Sequence, residues 1–458
     1  MRTTMQKRLW GVLFALILGM CPLTVSAQVA DLYVFIEFGD GDLGLINTET
    51  DQMIQVNLLS MAGWPGSTPQ HAWLPADGKT IYVSVDATES DPAAVVVIKV
   101  AGINWAAGSA NLAIDKVLVL DPPGTPSILP LVEEVNALQP VRDWGCALRP
   151  KRSTSQEVSQ NQEPCCIASW IQPRFTQGHG PSFLPGTPFM YLTLWTDNRI
   201  RVLDSRTNTF AATDPQSFHE YSDQTHGVNC NASGTYCLGT GYFYDQNEIE
   251  VYLADPDTGG LNLVRSIELC EGKGNKCAAL THYTAWLDDR FALTATMQFG
   301  PTSLTPPRSK IIGPSVWLLD VYSDRGVQTI GTASGRNAPG IFRSASDLQV
   351  VGDKLYVAEE DTLDGSFGDD GYISVFDISN LLQPRFLKRF KPGEELPNDY
   401  CISHGMNVTP DGQFLYVTSY ACSYIVKIDT TTDEVVKIYG AADGLNGPHG
   451  AFIAGQQR

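Results

Sequence analysis

Apolar residues along this chain fall into short runs separated by polar turns rich in Gly, Pro, Asp and Asn. Runs of that length bounded by turn residues predict β-strands, because a helix needs a longer stretch with a 3.6-residue period. The clearest stretch begins at His404-Gly405 and runs through Met406-Asn407-Val408 to the turn Pro410-Asp411-Gly412. Three further runs follow: Phe414–Ser419, Tyr424–Asp429 and Glu434–Tyr439. This pattern predicts four short antiparallel strands, with a tight turn between the first two.

The same unit recurs in looser form, the mark of a repeat architecture. One copy begins at His71 and continues through Ile81–Ser84 and Ala94–Ile98. Another begins at His179 and continues through Met190–Thr193 and Arg199–Asp204. His226 opens a copy through Thr235–Leu238 and Ile249–Tyr252, and His282 one through Phe291–Thr294 and Val316–Asp320. Asp347 opens one through Leu355–Ala358 and Ile373–Asp377. The unit resembles the YVTN-type β-propeller repeat, which implies strands radiating from a central channel. A seventh copy is split between the ends. Leu32–Phe35 and Gly44–Ile46 lack a first strand, whereas His449–Ile453 is a first strand with nothing after it. Pairing of the N- and C-terminal segments explains both. The expected fold is all-β: a seven-bladed β-propeller over residues 28–458, one domain where length alone suggests two or three. Residues 122–175 interrupt the repeat and are expected to form a lid-like loop.

Among 458 residues, 31 Lys+Arg face 50 Asp+Glu, a formal charge of −19. With no basic patch to offset it, that balance speaks against a nucleic-acid partner. Arg2, Lys7 and Arg8 precede the apolar run Leu9–Met20, and Val25-Ser26-Ala27 supplies small residues. Residues 1–27 are therefore expected to be a secretory signal peptide, too short for a membrane span, and no second apolar run follows. Leu18-Gly19-Met20-Cys21 departs from a lipoprotein box at Met20. A soluble periplasmic or secreted product makes disulfides the expected state of Cys146, Cys165, Cys166, Cys230, Cys237, Cys270, Cys277, Cys401 and Cys422. The spacings favour Cys230–Cys237, Cys270–Cys277 and Cys401–Cys422. No CxxC pair or CxxCH motif is present, which speaks against iron–sulfur or c-type haem.

The chain has 7 histidines. His71, His179, His226, His282, His404 and His449 each stand at the start of a blade's first strand, and only His219 lies elsewhere. In a propeller those starts share one end of the channel. Asp347 takes or neighbours the corresponding place in the remaining blade. One His-Gly before a strand is usually structural; six from six blades predict a metal site holding His71, His179, His226, His282, His404, His449 and Asp347. Uncoordinated imidazoles so crowded would repel on protonation, and a cation relieves that. An imidazole-rich, carboxylate-poor set suits Cu, Zn, Ni or Fe, with copper highest in affinity, and the donors suffice for two or three ions. The arrangement resembles the catalytic propeller of nitrous oxide reductase and also thiocyanate dehydrogenase, an exported copper enzyme with a mixed His and Asp site. The adjacent His-His pair and the C-terminal cupredoxin domain of nitrous oxide reductase are missing here. The resemblance therefore implies a mixed-ligand copper oxidoreductase.

Loops on the histidine face carry Asp40, Asp86, Asp197, Tyr242, Asp245, Met297, Glu359, Glu360 and Tyr420. Glu359 and Glu360 stand out as catalytic candidates for proton transfer, because they flank the blade that lacks a histidine. The acidic loop Asp361–Gly371 is a weaker candidate for calcium. The leading expectation is a copper oxidoreductase for a small-molecule substrate, with inorganic nitrogen or sulfur compounds as candidates, exchanging electrons with an external carrier. A non-catalytic propeller for protein interaction or metal sequestration is the first rival. A lyase or lactonase using one divalent ion is the second.

Overall fold

Most strands of this chain are buried on both faces, which a sheet packed on one side only cannot achieve. A computed structural model shows the reason: the chain is a seven-bladed β-propeller, and every blade is sandwiched between two others. The structure describes residues 32–64, 67–75, 78–122, 178–194, 199–217, 225–241, 248–271, 276–278, 281–297, 314–332, 345–360, 371–392, 402–420 and 422–453. The expected signal peptide, most of the 122–175 loop, the Asp361–Gly371 loop save its last residue, His219, Cys146, Cys165, Cys166 and Cys401 lie outside them.

Each blade is a four-stranded antiparallel meander, numbered here from its innermost strand, except that in blade 2 two short segments, Thr209–Phe210 and Gln216–Ser217, share the outermost place beside Arg199–Asp204. The inner strands are Pro69–Trp73 (blade 1), Gly178–Phe183 (blade 2), Thr225–Cys230 (blade 3), Thr281–Trp286 (blade 4), Ala345–Val351 (blade 5), Met406–Val408 (blade 6) and Pro448–Ile453 (blade 7). Blade 7 takes its other three strands, Leu32–Glu37, Asp42–Asn47 and Met53–Asn57, from the opposite end of the chain. Leu32–Glu37 pairs antiparallel with Pro448–Ile453, which closes the ring as the split repeat predicted.

The core is divided into wedges between neighbouring blades rather than gathered in one centre. Trp73, Tyr82 and Val97 of blade 1 meet Met190 and Leu192 of blade 2, and Tyr356 and Val375 of blade 5 meet Val417 and Val426 of blade 6. At the closing seam, Tyr33 and Phe35 of blade 7 pack with Tyr416 and Ile425 of blade 6, the Tyr33 and Tyr416 rings stacking at 4.6 Å. Burial of large aromatics supplies most of the stabilisation, at about 1.5–3 kcal/mol for each fully buried apolar side chain. Outer strands meet solvent on one side and alternate accordingly, as in Glu434–Tyr439.

Blade 1 departs from the expected strand lengths. Its third and fourth strands run Ala93–Asn104 and Ser109–Asp121, well beyond the predicted Ala94–Ile98. The extension is stabilised from outside the blade: Ile103, Trp105 and Leu112 pack onto the wedge between blades 7 and 1. Cys230–Cys237 and Cys270–Cys277 are disulfide-bonded as their spacing suggested, and Cys422 is disulfide-bonded too.

The seam also buries an acid. Glu37, opposite Pro448, is fully buried, and its Oε1 accepts a hydrogen bond from Gln55 Nε2 at 2.7 Å. Burial, aided by the charges of Asp42 and Asp40, pushes its carboxyl up to about 7 against the opposing Gln55 bond. An acid raised on folding favours the native state at low pH, and that contribution is lost as pH rises from the ordinary carboxyl range to about 7. Glu37→Gln is therefore expected to be more stable than the native chain at pH 7–8, with the difference shrinking towards pH 4.5. Thermal unfolding across that range measures it, and equal pH dependence in both proteins would contradict the assignment.

Candidate metal centre

The inner strands carry a repeated irregularity at the histidine position. Their register against the second strand shifts between Pro69 and His71, His179 and Ser182, Thr225 and Gly227, Thr281 and Thr284, and Ala345 and Leu348. In blade 7 it shifts opposite Val34 and Ile36, the latter paired with His449. A bulge re-aims the side chain it carries, and here the result is a closed circuit of imidazoles. Successive ring centroids lie 4.3 Å apart for His71–His179, 4.1 Å for His179–His226 and 4.0 Å for His226–His282. The circuit continues at 5.6 Å for His282–His404, 4.6 Å for His404–His449 and 5.0 Å for His449–His71. All six side chains are buried.

Hydrogen bonds between blades set how each ring is turned. Nδ1 of His179 donates to the His226 carbonyl at 3.3 Å, His226 to the His282 carbonyl at 3.0 Å, and His282 to the Ser346 carbonyl at 2.6 Å. His449 Nδ1 donates to the Gln70 carbonyl at 2.9 Å. A carbonyl only accepts, so each of these Nδ1 atoms bears the proton and each Nε2 keeps a lone pair. Hydroxyls reinforce the same acceptors: Thr193 Oγ1 lies 2.8 Å from the His226 carbonyl and Thr240 Oγ1 2.8 Å from that of His282. Burial, followed by the neighbouring His282, holds the His226 imidazole well below its usual range, so it is neutral at pH 7.

The His-Gly pairing has a steric cause. Gly180 has φ +53°, and a Cβ there would fall 2.2 Å from the His226 carbonyl oxygen. A side chain at this position would push blade 3 away and break the bond that orients His179.

Blade 5 is the exception. Its register places Ser346, not Asp347, at the point equivalent to His282, each one residue past the first paired position. Asp347 sits one residue further along, and its carboxylate accepts N–H bonds from Leu348 and Met406, both at 2.8 Å. It ties blade 5 to blade 6 and belongs to neither ligand group described below, in contrast to its expected place among the ligands. The carboxylate that reaches the circuit is Glu360, at the end of the second strand of blade 5. Its Oε2 accepts from His404 Nδ1 at 2.9 Å, and its Oε1 from the Tyr420 hydroxyl at 2.6 Å. Glu359 turns elsewhere: Arg389 Nε at 3.0 Å, Arg389 Nη2 at 2.5 Å and Ser374 Oγ at 2.6 Å engage its carboxylate. The expected catalytic pair is thus divided, with Glu360 at the ring and Glu359 in a buried ion pair within blade 5.

Two sets of candidate ligand atoms lie within 4.8 Å of one another: His71, His179 and His449, and His282, His404 and Glu360. Two ligands bound to one ion at about 2.0–2.1 Å sit no more than about 4 Å apart, so small rotamer changes bring either set onto an ion. His226 lies between the two. His404 Nε2 is buried with no hydrogen-bond partner among the described residues, the situation of a nitrogen that awaits a ligand. The donor chemistry therefore fits a borderline metal such as copper or zinc. A third group, Glu268 with Cys270 and Cys277, is disqualified because its sulfurs are in a disulfide.

Around the circuit, Phe38 stacks on His449 at 4.3 Å, and Tyr283 meets His226 and His282 edge-on at 5.2 and 4.8 Å. The sequence reading had singled out neither Phe38 nor Tyr283; both adjoin residues that it had placed at the rim or in the ring. Asp86, a rim candidate, is buried, and burial raises its carboxyl well above the usual range despite a bond from Gln70 Nε2 at 2.5 Å. Asp197, Tyr242 and Asp245 lie outside the described residues.

Replacing Gly180 by Ala is expected to destabilise the protein by about 2–3 kcal/mol, combining left-handed strain with displacement of the His226 backbone. Gly186→Ala provides the comparison, since Gly186 has φ +70° but open space around it; strain alone predicts about 1–2 kcal/mol. Equal losses in denaturant unfolding would show that the close approach of blade 3 has no energetic weight.

No family model matches the chain, and neither does any curated protein. Solved structures do. The periplasmic gluconolactonase of Pseudomonas aeruginosa superposes with a TM-score of 0.56 at 12% identity, covering 92% of this chain and 98% of that one. A protein of unknown function from Desulfotomaculum acetoxidans superposes with a TM-score of 0.55 at 14% identity, covering 93% of this chain and 99% of that one. Identities this low establish a shared seven-bladed propeller fold and nothing finer about the site.

Proposed function

We propose that this protein is an exported copper-dependent oxidoreductase acting on a small substrate at the histidine-lined mouth of the channel. The observation that carries the reading is the orientation of the imidazoles. Five of them commit Nδ1 to an oxygen acceptor, which reserves Nε2 for a metal. His71, His179 and His449 would hold one ion, and His282, His404 and Glu360 a second, with His226 able to serve either. Copper would supply one-electron redox capacity and a Lewis-acid position.

The residues around the ring perform the supporting work. Phe38, Tyr283 and Tyr420 wall the imidazoles off from water, which strengthens every electrostatic interaction inside. Burial raises the Asp86 carboxyl, which makes it the rim group best suited to hold and deliver a proton. Inorganic nitrogen or sulfur compounds are the substrate class we propose, by the resemblance of the histidine ring to those of nitrous oxide reductase and thiocyanate dehydrogenase. Electrons would pass to an external carrier. Export is supported by the N-terminal segment, the disulfides Cys230–Cys237 and Cys270–Cys277 and the resemblance in fold to a periplasmic protein.

Protein purified without chelator or histidine tag, then loaded with copper and dialysed, is expected to retain two or three coppers by elemental analysis. His282→Ala combined with His404→Ala is expected to lose at least one of these while remaining folded. Absence of bound copper in the native chain would overturn the proposal. One calcium or magnesium in place of copper would favour a hydrolytic or lyase activity. Tight copper without turnover of any small nitrogen or sulfur compound would favour metal sequestration.

A further inference from the structure

We infer that Tyr420 is a positioning residue that holds Glu360 as the hydrogen-bond partner of His404 and so makes the metal position at His282 and His404 chemically distinct from the all-imidazole one. The inference deepens the metal-site reading above and rests on it.

The circuit is not chemically uniform. The Nδ1 atoms of His179, His226, His282 and His449 donate to backbone carbonyls, whose positions the neighbouring strand dictates. His404 alone among the five donates to a side chain, the Glu360 carboxylate, at 2.9 Å. An ionised carboxylate is a stronger acceptor than an amide carbonyl and makes the imidazole a better donor at Nε2. A carboxylate is also mobile. The Glu360 side chain can rotate about its own bonds, and its oxygens lie within reach of the metal position itself. Left alone it has two options: orient His404 or become a ligand in its own right.

Tyr420 selects between them. Its hydroxyl donates to Glu360 Oε1 at 2.6 Å, which fixes the carboxylate plane and leaves Oε2 facing His404. The phenol ring is itself held by two edge-on contacts, 5.2 Å from His404 and 5.5 Å from His449, and by Phe38 at 6.0 Å. Tyr420 directly follows the second strand of blade 6, Phe414–Ser419, Glu360 directly follows that of blade 5, Lys354–Glu359, and His449 belongs to blade 7. Three blades thus converge on this one hydrogen-bonded string. It stands beside the blade that lacks a ring histidine, where a side-chain device takes over what the backbone does elsewhere.

Tyr420→Phe removes the hydroxyl but keeps the ring contacts, so it separates the hydrogen bond from packing. Tyr420→Leu removes both. In copper titrations followed by electron paramagnetic resonance, Tyr420→Phe is expected to weaken one copper position about tenfold and to change its signal. The position at His71, His179 and His449 should keep its affinity and signal, and serves as the internal check that the variant is folded. In the metal-free protein, the ¹⁵N shifts of His404, identified by their loss in His404→Gln, should show a protonated Nδ1. In Tyr420→Phe those shifts should move towards an average of the two tautomers. Native copper affinities and native His404 shifts in Tyr420→Phe would overturn the inference, as would loss confined to Tyr420→Leu. If the native chain binds no copper, the metal reading itself fails. The ¹⁵N comparison then decides the string on its own, a change on removing the hydroxyl supporting it and identical shifts refuting it.

Discussion

One interaction organises the mouth of this propeller: the hydrogen bond from a histidine Nδ1 on one blade to the backbone carbonyl of the next. It joins neighbouring inner strands that share no ladder, since each blade's sheet ends at its inner strand. The same bond fixes the tautomer of the ring. Structural cohesion and ligand orientation therefore depend on the same atoms. A change in the angle between two blades would also turn an imidazole, which couples the site to the global closure of the fold.

That coupling explains several local features at once. The bulge aims the side chain, and Gly180 allows the next strand to approach within bonding distance. Thr240 supplies a second donor to the His282 carbonyl, and the Thr193 hydroxyl stands between the His179 and His226 carbonyls at 2.6 and 2.8 Å. Blade 5 breaks the pattern by offering Ser346, and its neighbour Asp347 is occupied by two backbone N–H groups. Glu360 and Tyr420 then restore an oriented histidine by a different route. The outcome is a ring whose six imidazoles look alike in sequence but differ in what holds them.

Much of the architecture was legible in the chain because a propeller writes its period into the pattern of apolar runs. The tight turn at Pro410-Asp411-Gly412 and the incomplete copies at the two ends implied four strands per blade and a shared seventh blade. The ring positions followed from the same period, since each recurs at one place in the unit. What the period could not resolve was a shift of one residue. Whether Ser346 or Asp347 stands at the ring depends on where the bulge falls, and no local pattern marks it. The long hairpin of blade 1 has no counterpart in the other blades: its outer half, Ser109–Lys116, alternates regularly but lies beyond the repeat unit, and its partly buried apolar residues pack on the wedge between blades 7 and 1.

The sequence by itself determined the number of blades, the means of closure, the gathering of six histidines and the pairing of the nearby cysteines, because these follow from local periodicity and spacing. Only the tertiary structure decided how adjacent glutamates divide their roles. Glu359 is the last residue of the second strand of blade 5 and Glu360 directly follows it, and their carboxylates engage different partners. One meets Arg389 within its own blade, and the other meets His404 and Tyr420 from the next. Tautomers, too, were set by contacts between blades, and a contact between chain segments 40 to 60 residues apart leaves no local trace in either.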